Sequence, residues 1–203
     1  MSAYPLMLDG TSLEALVVGG GAVAARKVGA LLDAGATVRV VAPDVSRELR
    51  ELQSPDVRLT IAERSYTSED IATAMLVIAA TGDRAVNARV ARDARARHRL
   101  VNVADAPNEG NCVTAAVHRA GDLVVAVTAG GVPSAAARVR DMVADRVDGR
   151  YGGAIAELGE LRSRLLAAGN REQWRRASEE LVGESFCAWV EDGTFVARVR
   201  AWR

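Results

Sequence analysis

Aromatic side chains are scarce, with three Trp, three Tyr and two Phe making up 4% of 203 residues. A core must therefore be packed mostly from Ala, Val and Leu. Lysine is almost missing: Lys27 is the only one, and nearly all positive charge is arginine. Only two cysteines are present, Cys112 and Cys187, far apart and without metal-ligand spacing. That argues against a disulfide framework or a zinc site, and no metal-binding residues are expected. No apolar run reaches the roughly 20 residues that cross a bilayer. The N-terminal MSAYPLMLDGTS has neither a basic region nor a long apolar stretch, so no targeting segment is read there and a cytoplasmic protein is expected. There is no charge excess either, with 26 Lys and Arg against 26 Asp and Glu. A general nucleic-acid or membrane binder would be basic. Hydrophobic residues are nearly half of the chain, at 49%, enough for one domain of ordinary size and a smaller one.

The stretch that organises the rest is Leu13 to Gly35, LEALVVGGGAVAARKVGALLDAG. A short apolar run leads into three glycines and then a helix-like segment closed by Gly35. Read as G-x-G-x-x-A, it uses Gly19, Gly21 and Ala24. Gly19 permits the tight turn off the strand, Gly21 lets a pyrophosphate approach the backbone, and Ala24 lets helix and strand pack closely. The helix N-terminus would aim its unpaired N–H groups and positive dipole end at the phosphates. With a second strand at Thr37 to Val41, this is a βαβ unit for a dinucleotide. The bland alternative is a glycine-rich turn that binds nothing.

Along the chain, Tyr4 to Leu8 is expected as a short edge strand. After the second strand, Ala42 and Pro43 stand where an NAD fingerprint places an acidic residue, and Asp44 follows slightly late. Asp44 either reaches the adenosine ribose, where its charge would repel a 2′-phosphate, or caps a helix beginning near Val45. Strands are expected at 57–62, at 75–80 (MLVIAA, a continuous buried run) and at 100–103. Thr81 follows the 75–80 strand, where ligands of open α/β sheets sit. It lines the nicotinamide half of the cofactor or belongs to a mere turn and helix cap. Two strands, 113–117 and 123–128, are expected to be joined by a His118–Asp122 loop, followed by helices at 135–147, 154–168 and 172–182. Gly152-Gly153 is read as a helix break. The tail from Glu184 leans helical, with Asp192-Gly193 as the competing turn. Boundaries are placed near 112 and 150, giving 1–112, 113–150 and 151–203.

Taken together, VVGGGAVAARKVGALLDAGATVRVVAP, VIAATGD, VNVADAP and LVVAVTAGGVPSAAARVR, in that order, resemble the siroheme synthase N-terminal family over roughly residues 4–182. That family comprises precorrin-2 dehydrogenases, some of which are also sirohydrochlorin ferrochelatases. The resemblance implies an α/β fold: an NAD-binding Rossmann domain with a parallel sheet, a dimerisation region and a small helical C-terminal region, assembled as a homodimer. It implies oxidation of precorrin-2 to sirohydrochlorin with NAD, on a siroheme or cobalamin route, and in some members Fe2+ or Co2+ insertion, a lyase reaction. The aspartate of the family's N-V-x-D-x-P motif is Asp105 here and resembles the catalytic residue. NAD would be carried by Gly19, Gly21, Ala22 and Val23, with Pro43 and Asp44 on the adenosine side.

Chemistry read from the residues agrees. Dehydrogenation removes a hydride and a proton, and a carboxylate just past a strand end can take the proton. The alternative for Asp105 is an Asx turn before Pro107. A substrate with many carboxylate arms calls for arginines, and the candidates are Arg119, Arg138 and Arg140, with Arg146. Each competes with a solvated helix-face role beside Asp141, Asp145 and Asp148. His118 is tempting as a ligand or proton shuttle but reads as an exposed loop residue, and Cys112 reads as packing. Three departures stand out. Ala129 occupies a position where some relatives carry a phosphorylatable serine, Pro133-Ser134 reverses the family's Ser-Pro, and no methyltransferase stretch follows. The changed 128–134 loop motivates a competing reading, an NAD-binding sensor or structural dimer without tetrapyrrole chemistry.

Overall fold

The computed structural model describes residues 3–202; Met1, Ser2 and Arg203, the ends of the expected lead-in and tail, lie outside the described residues. The chain divides into two compact units, Met1–Thr114 and Ala115–Arg203.

The first unit is built on five parallel strands: β1 (Glu14–Val18), β2 (Thr37–Ala42), β3 (Leu59–Glu63), β4 (Leu76–Ala79) and β5 (Leu100–Val103). Their order is β3-β2-β1-β4-β5. Helices α1 (Ala22–Asp33), α2 (Arg47–Glu51) and α3 (Arg84–Ala96) fill the crossovers. Both faces of the sheet are covered, so β4 and, after Glu14, β1 are continuous apolar runs rather than alternating, while β2 is interrupted in mid-strand only by Arg39. One face packs Leu16, Val18, Val77, Ala79, Val101 and Val103 with Val90, Ala91 and Ala94 of α3. The other packs Ala15, Val17, Val38, Val40 and Ile78 with Ala24, Ala25 and Val28 of α1. Val28 and Val90 are fully buried, each worth about 1.5–3 kcal/mol against exposure. The Rossmann unit with a parallel sheet, expected from the pattern, is borne out. Tyr4 to Leu8 is not a strand. Those residues are unpaired and exposed, and a 3₁₀ turn at Gly10–Ser12, capped by Asp9, leads into β1.

The second unit opens with an antiparallel hairpin, β6 (Ala116–Ala120) and β7 (Leu123–Val127). Its turn is only Gly121-Asp122, Gly121 taking φ +57, so His118 and Arg119 belong to the strand and not to a loop. Five helices follow: α4 (Pro133–Ala144), α5 (Gly149–Ala167), α6 (Arg171–Leu181), α7 (Phe186–Glu191) and α8 (Phe195–Ala201). Gly152-Gly153 does not break a helix. It lies inside α5, where a Cβ on Gly152 would come within 2.6 Å of the Ala120 carbonyl oxygen. The glycine lets α5 lie directly on the hairpin, at a cost in helix propensity. Leu123 of β7 packs against the helical cluster of Tyr151, Leu161, Leu165, Leu181 and Phe195. Contacts therefore hold 115–203 as one unit, with no division near 150. The tail is helical but in two pieces, turned at Asp192-Gly193, where Gly193 has φ +79. No helix among the described residues is long and apolar enough to cross a membrane.

Candidate active site

Parallel strands place all their following loops on one edge of the sheet, so the loops after β1, β2, β4 and β5 share it. Neighbouring strands lie about 4.8 Å apart. The order β2-β1-β4-β5 therefore lines up the loops carrying Asp44, the three glycines, Thr81 and Asp105.

The glycine loop has little freedom. Gly19 sits at φ +130, with its hypothetical Cβ 2.3 Å from the Ala80 carbonyl oxygen, and a Cβ on Gly20 would lie 1.9 Å from that of Asp44. The Gly20 carbonyl also accepts from the Ser46 N–H at 2.8 Å, joining the β1 and β2 loops through backbone. Gly21 differs: a Cβ there meets nothing within 4 Å. It is also the N-cap of α1 and supplies no side-chain cap. The first-turn N–H groups, including those of Ala22 and Val23, thus face an open cradle, as a pyrophosphate requires. These residues fit a dinucleotide. Pro43 and Asp44 are exposed beside it. Asp44 does not cap α2; Ser46 does, accepting from the Leu49 N–H at 3.3 Å.

Asp83 caps α3, its carboxylate accepting from Ala85 N–H at 2.8 Å and Val86 N–H at 3.2 Å. The Thr81 side chain turns inward, its hydroxyl lying 2.7 Å from Asn87 Oδ1. Asp105 stands just beyond β5 with its side chain 41% exposed. It makes no Asx turn: the 3₁₀ turn at Pro107–Glu109 has no side-chain cap. Instead, Asn87 Nδ2 donates to Asp105 Oδ1 at 3.0 Å. Arg84 Nε lies 3.9 Å from Oδ2, and the same guanidinium is paired with Glu109. A carboxylate so held is oriented and reachable, as a proton acceptor must be.

Arg119, Arg138 and Arg140 all belong to the second unit. Arg140 is paired with Asp141 at 2.6 Å; Arg119 and Arg138 are exposed and have no ion pair among the described residues. His118 is half-buried, its Nε2 2.5 Å from the Val147 carbonyl oxygen, which makes it a strand-to-loop tie. Cys112 packs at the margin of the α1-side core, and burial pushes its thiol pKa up.

Sequence reading missed two residues. Three polar side chains are buried among the described residues: Asp70, Asn87 and Asn102. Asp70 pairs with Arg64, Asn87 reaches Asp105, and Asn102 ties β5 to Lys27 and the Cys112 carbonyl. Asn87 falls on the stripe of Val90, Ala91 and Ala94, the inward face of α3. A carboxamide on an apolar stripe was the signal available. Asn102 points to the opposite face of the sheet from Val101 and Val103 and receives Lys27.

The model of the NAD(P)-binding family matches residues 6–116, more than half of the chain. The chain belongs to that family. The resemblance to siroheme synthases is also borne out. The siroheme synthase of Ectopseudomonas mendocina (strain ymp) is 40% identical over 79% of this chain and 34% of its own length. That of Nitrosospira multiformis is 36% identical over 100% of this chain and 44% of its own. The chain thus spans less than half the length of these relatives. Among solved structures, SirC, a precorrin-2 dehydrogenase, aligns with TM-score 0.74 at 26% identity, covering 98% of this chain and 99% of that one.

Proposed function

We propose that this protein oxidises precorrin-2 to sirohydrochlorin with NAD as acceptor and Asp105 as the base. The observation that carries the reading is the exposed, oriented Asp105 carboxylate on the same sheet edge as the open Gly21 cradle. The full-length likeness to a precorrin-2 dehydrogenase supports it.

In this reading Gly19 shapes the turn, Gly21, Ala22 and Val23 take the pyrophosphate on backbone N–H groups, and Pro43 and Asp44 flank the adenosine ribose. Thr81 lies on the β4 loop between the phosphate end and Asp105. Bound NAD supplies a hydride acceptor. Asp105 accepts the proton that leaves the reduced macrocycle, so two electrons and two hydrogens depart, one as hydride and one as a proton. The guanidinium of Arg84 balances the carboxylate's charge and, with Asn87, fixes its direction.

The rest of the resemblance belongs to the same proposal: arginines at 119, 138 and 140 for the substrate's carboxylates, Fe2+ or Co2+ as a chelation substrate, a homodimer and a cytoplasmic location. Val117 on β6 and Val139 and Met142 on α4 are exposed apolar side chains that a second copy would cover.

The test is an anaerobic spectroscopic assay with enzymatically made precorrin-2 and NAD+. Sirohydrochlorin appears with the wild-type protein. Asp105→Ala loses about 10²–10⁴-fold in rate while NAD+ affinity stays within a few-fold. Tight NAD+ binding without turnover would overturn the reading in favour of a sensor, and an unchanged rate in Asp105→Ala would remove that residue from the chemistry.

A further inference from the structure

The Asn87 carboxamide has every hydrogen-bonding position occupied. Its Oδ1 accepts from the Thr81 N–H at 3.1 Å and from the Thr81 hydroxyl at 2.7 Å. Its Nδ2 donates to the Thr81 carbonyl at 3.1 Å and to Asp105 Oδ1 at 3.0 Å. An amide offers two donors and two acceptor directions, and all four are used. This fixes its orientation: flipped, it would set an NH2 against the Thr81 N–H and an oxygen against the Asp105 carboxylate. The residue is fully buried, in the first turn of α3. A buried carboxamide on an otherwise apolar stripe costs free energy unless all its partners are present. One side chain therefore bridges the loop after β4 and the loop after β5.

We infer that Asn87 is the positioning residue that sets the Asp105 carboxylate relative to the Thr81 loop, so that proton acceptor and cofactor loop keep one geometry. The inference rests on the proposed role of Asp105. Without the bridge, Asp105 retains only Arg84 at 3.9 Å, and that guanidinium is shared with Glu109. The carboxylate would swing on its exposed loop, and misplacement by about 1 Å costs about 10²-fold in rate.

The experiment compares Asn87→Ala and Asn87→Ser with wild type, using precorrin-2 and NAD+, with rates expressed per folded protein by circular dichroism. The expected result is a kcat lowered by about 10²-fold with KM for both substrates within a few-fold. Should the alanine variant not fold, the serine variant, which keeps a hydroxyl near Thr81, decides. A folded variant with wild-type kcat overturns the inference, as does a loss confined to the KM for NAD+, which would mean that Asn87 supports the cofactor loop alone. A wild-type protein that does not oxidise precorrin-2 overturns the functional reading itself, and the inference with it.

Discussion

Lys27 Nζ donates to Asn102 Oδ1 at 2.8 Å, so the chain's single lysine is held by a buried carboxamide and not by a carboxylate. Thr114 Oγ1 accepts from the same ammonium at 3.1 Å, and Asn102 Nδ2 donates to the Cys112 carbonyl at 3.2 Å. The three bonds tie α1, β5 and the end of the first unit together. Lys27→Met leaves Asn102 Oδ1 without its donor, and a stability loss of about 1–3 kcal/mol is expected, read as a lower Tm.

The same lysine gives a pH signature. Burial chiefly, and Arg26 secondarily, pull its pKa below 10.5 in the folded state. Between that lowered value and 10.5 the unfolded chain binds the extra proton, so stability rises with pH across the window. The advantage of wild type over Lys27→Met should therefore be larger at about pH 10 than at neutral pH. Urea unfolding of both proteins at the two pH values checks it; a constant difference would mean the ammonium is not desolvated.

Gly20 and Gly21, though adjacent, should separate by phenotype. Gly21→Asp places its side chain in open space, so the Tm stays close to wild type while NAD+ binding is lost to charge repulsion. Gly20→Ala drives a methyl into the Asp44 carbonyl and lowers the Tm first. Calorimetric titration with NAD+ beside thermal unfolding distinguishes them, and an NAD+ affinity unchanged in Gly21→Asp would remove this loop from the site.

Asp44 should set the preference between NAD+ and NADP+. Asp44 is exposed and does not cap α2; in the proposed reading its carboxylate meets the ribose hydroxyls and would repel a 2′-phosphate. Asp44→Asn should weaken NAD+ by about 10–100-fold, the worth of a hydrogen bond to a charged group, and narrow the gap to NADP+. Equal loss for both cofactors would place Asp44 away from the 2′ position.

Gly152 and Gly153 are adjacent in α5 yet should respond oppositely to alanine. Gly152→Ala meets the Ala120 carbonyl at 2.6 Å and destabilises the second unit; Gly153→Ala meets nothing within 4 Å and gains about 0.5–1 kcal/mol of helix propensity. Thermal unfolding of the two variants is sufficient to check the contrast.

Where periodicity and glycine chemistry acted within a few residues, they were legible in advance. The βαβ unit, the buried run before Thr81 and the loop carrying Asp105 all follow from local pattern. What escaped depends on contacts distant in sequence. Gly152 reads as a helix breaker until the hairpin it packs against is known. His118 reads as a loop residue until Gly121 is seen to close a two-residue turn. Tyr4 to Leu8, an apolar run before Asp9-Gly10, reads as an edge strand but has no partner strand. Asn87 and Lys27 acquire meaning only when β5 and its loop are brought beside α3 and α1.

The bond from Ser46 N–H to the Gly20 carbonyl, with backbone contact too close for any side chain between them, makes the loops after β1 and β2 a single rigid cradle. Ordering them is done once, during folding, and is not repeated at each encounter with a dinucleotide. A preorganised cradle of this kind avoids the entropic loss that a flexible clasp incurs on closing. Differences in affinity among variants of its exposed residues should then appear mainly as differences in residence time, with association left near its encounter rate.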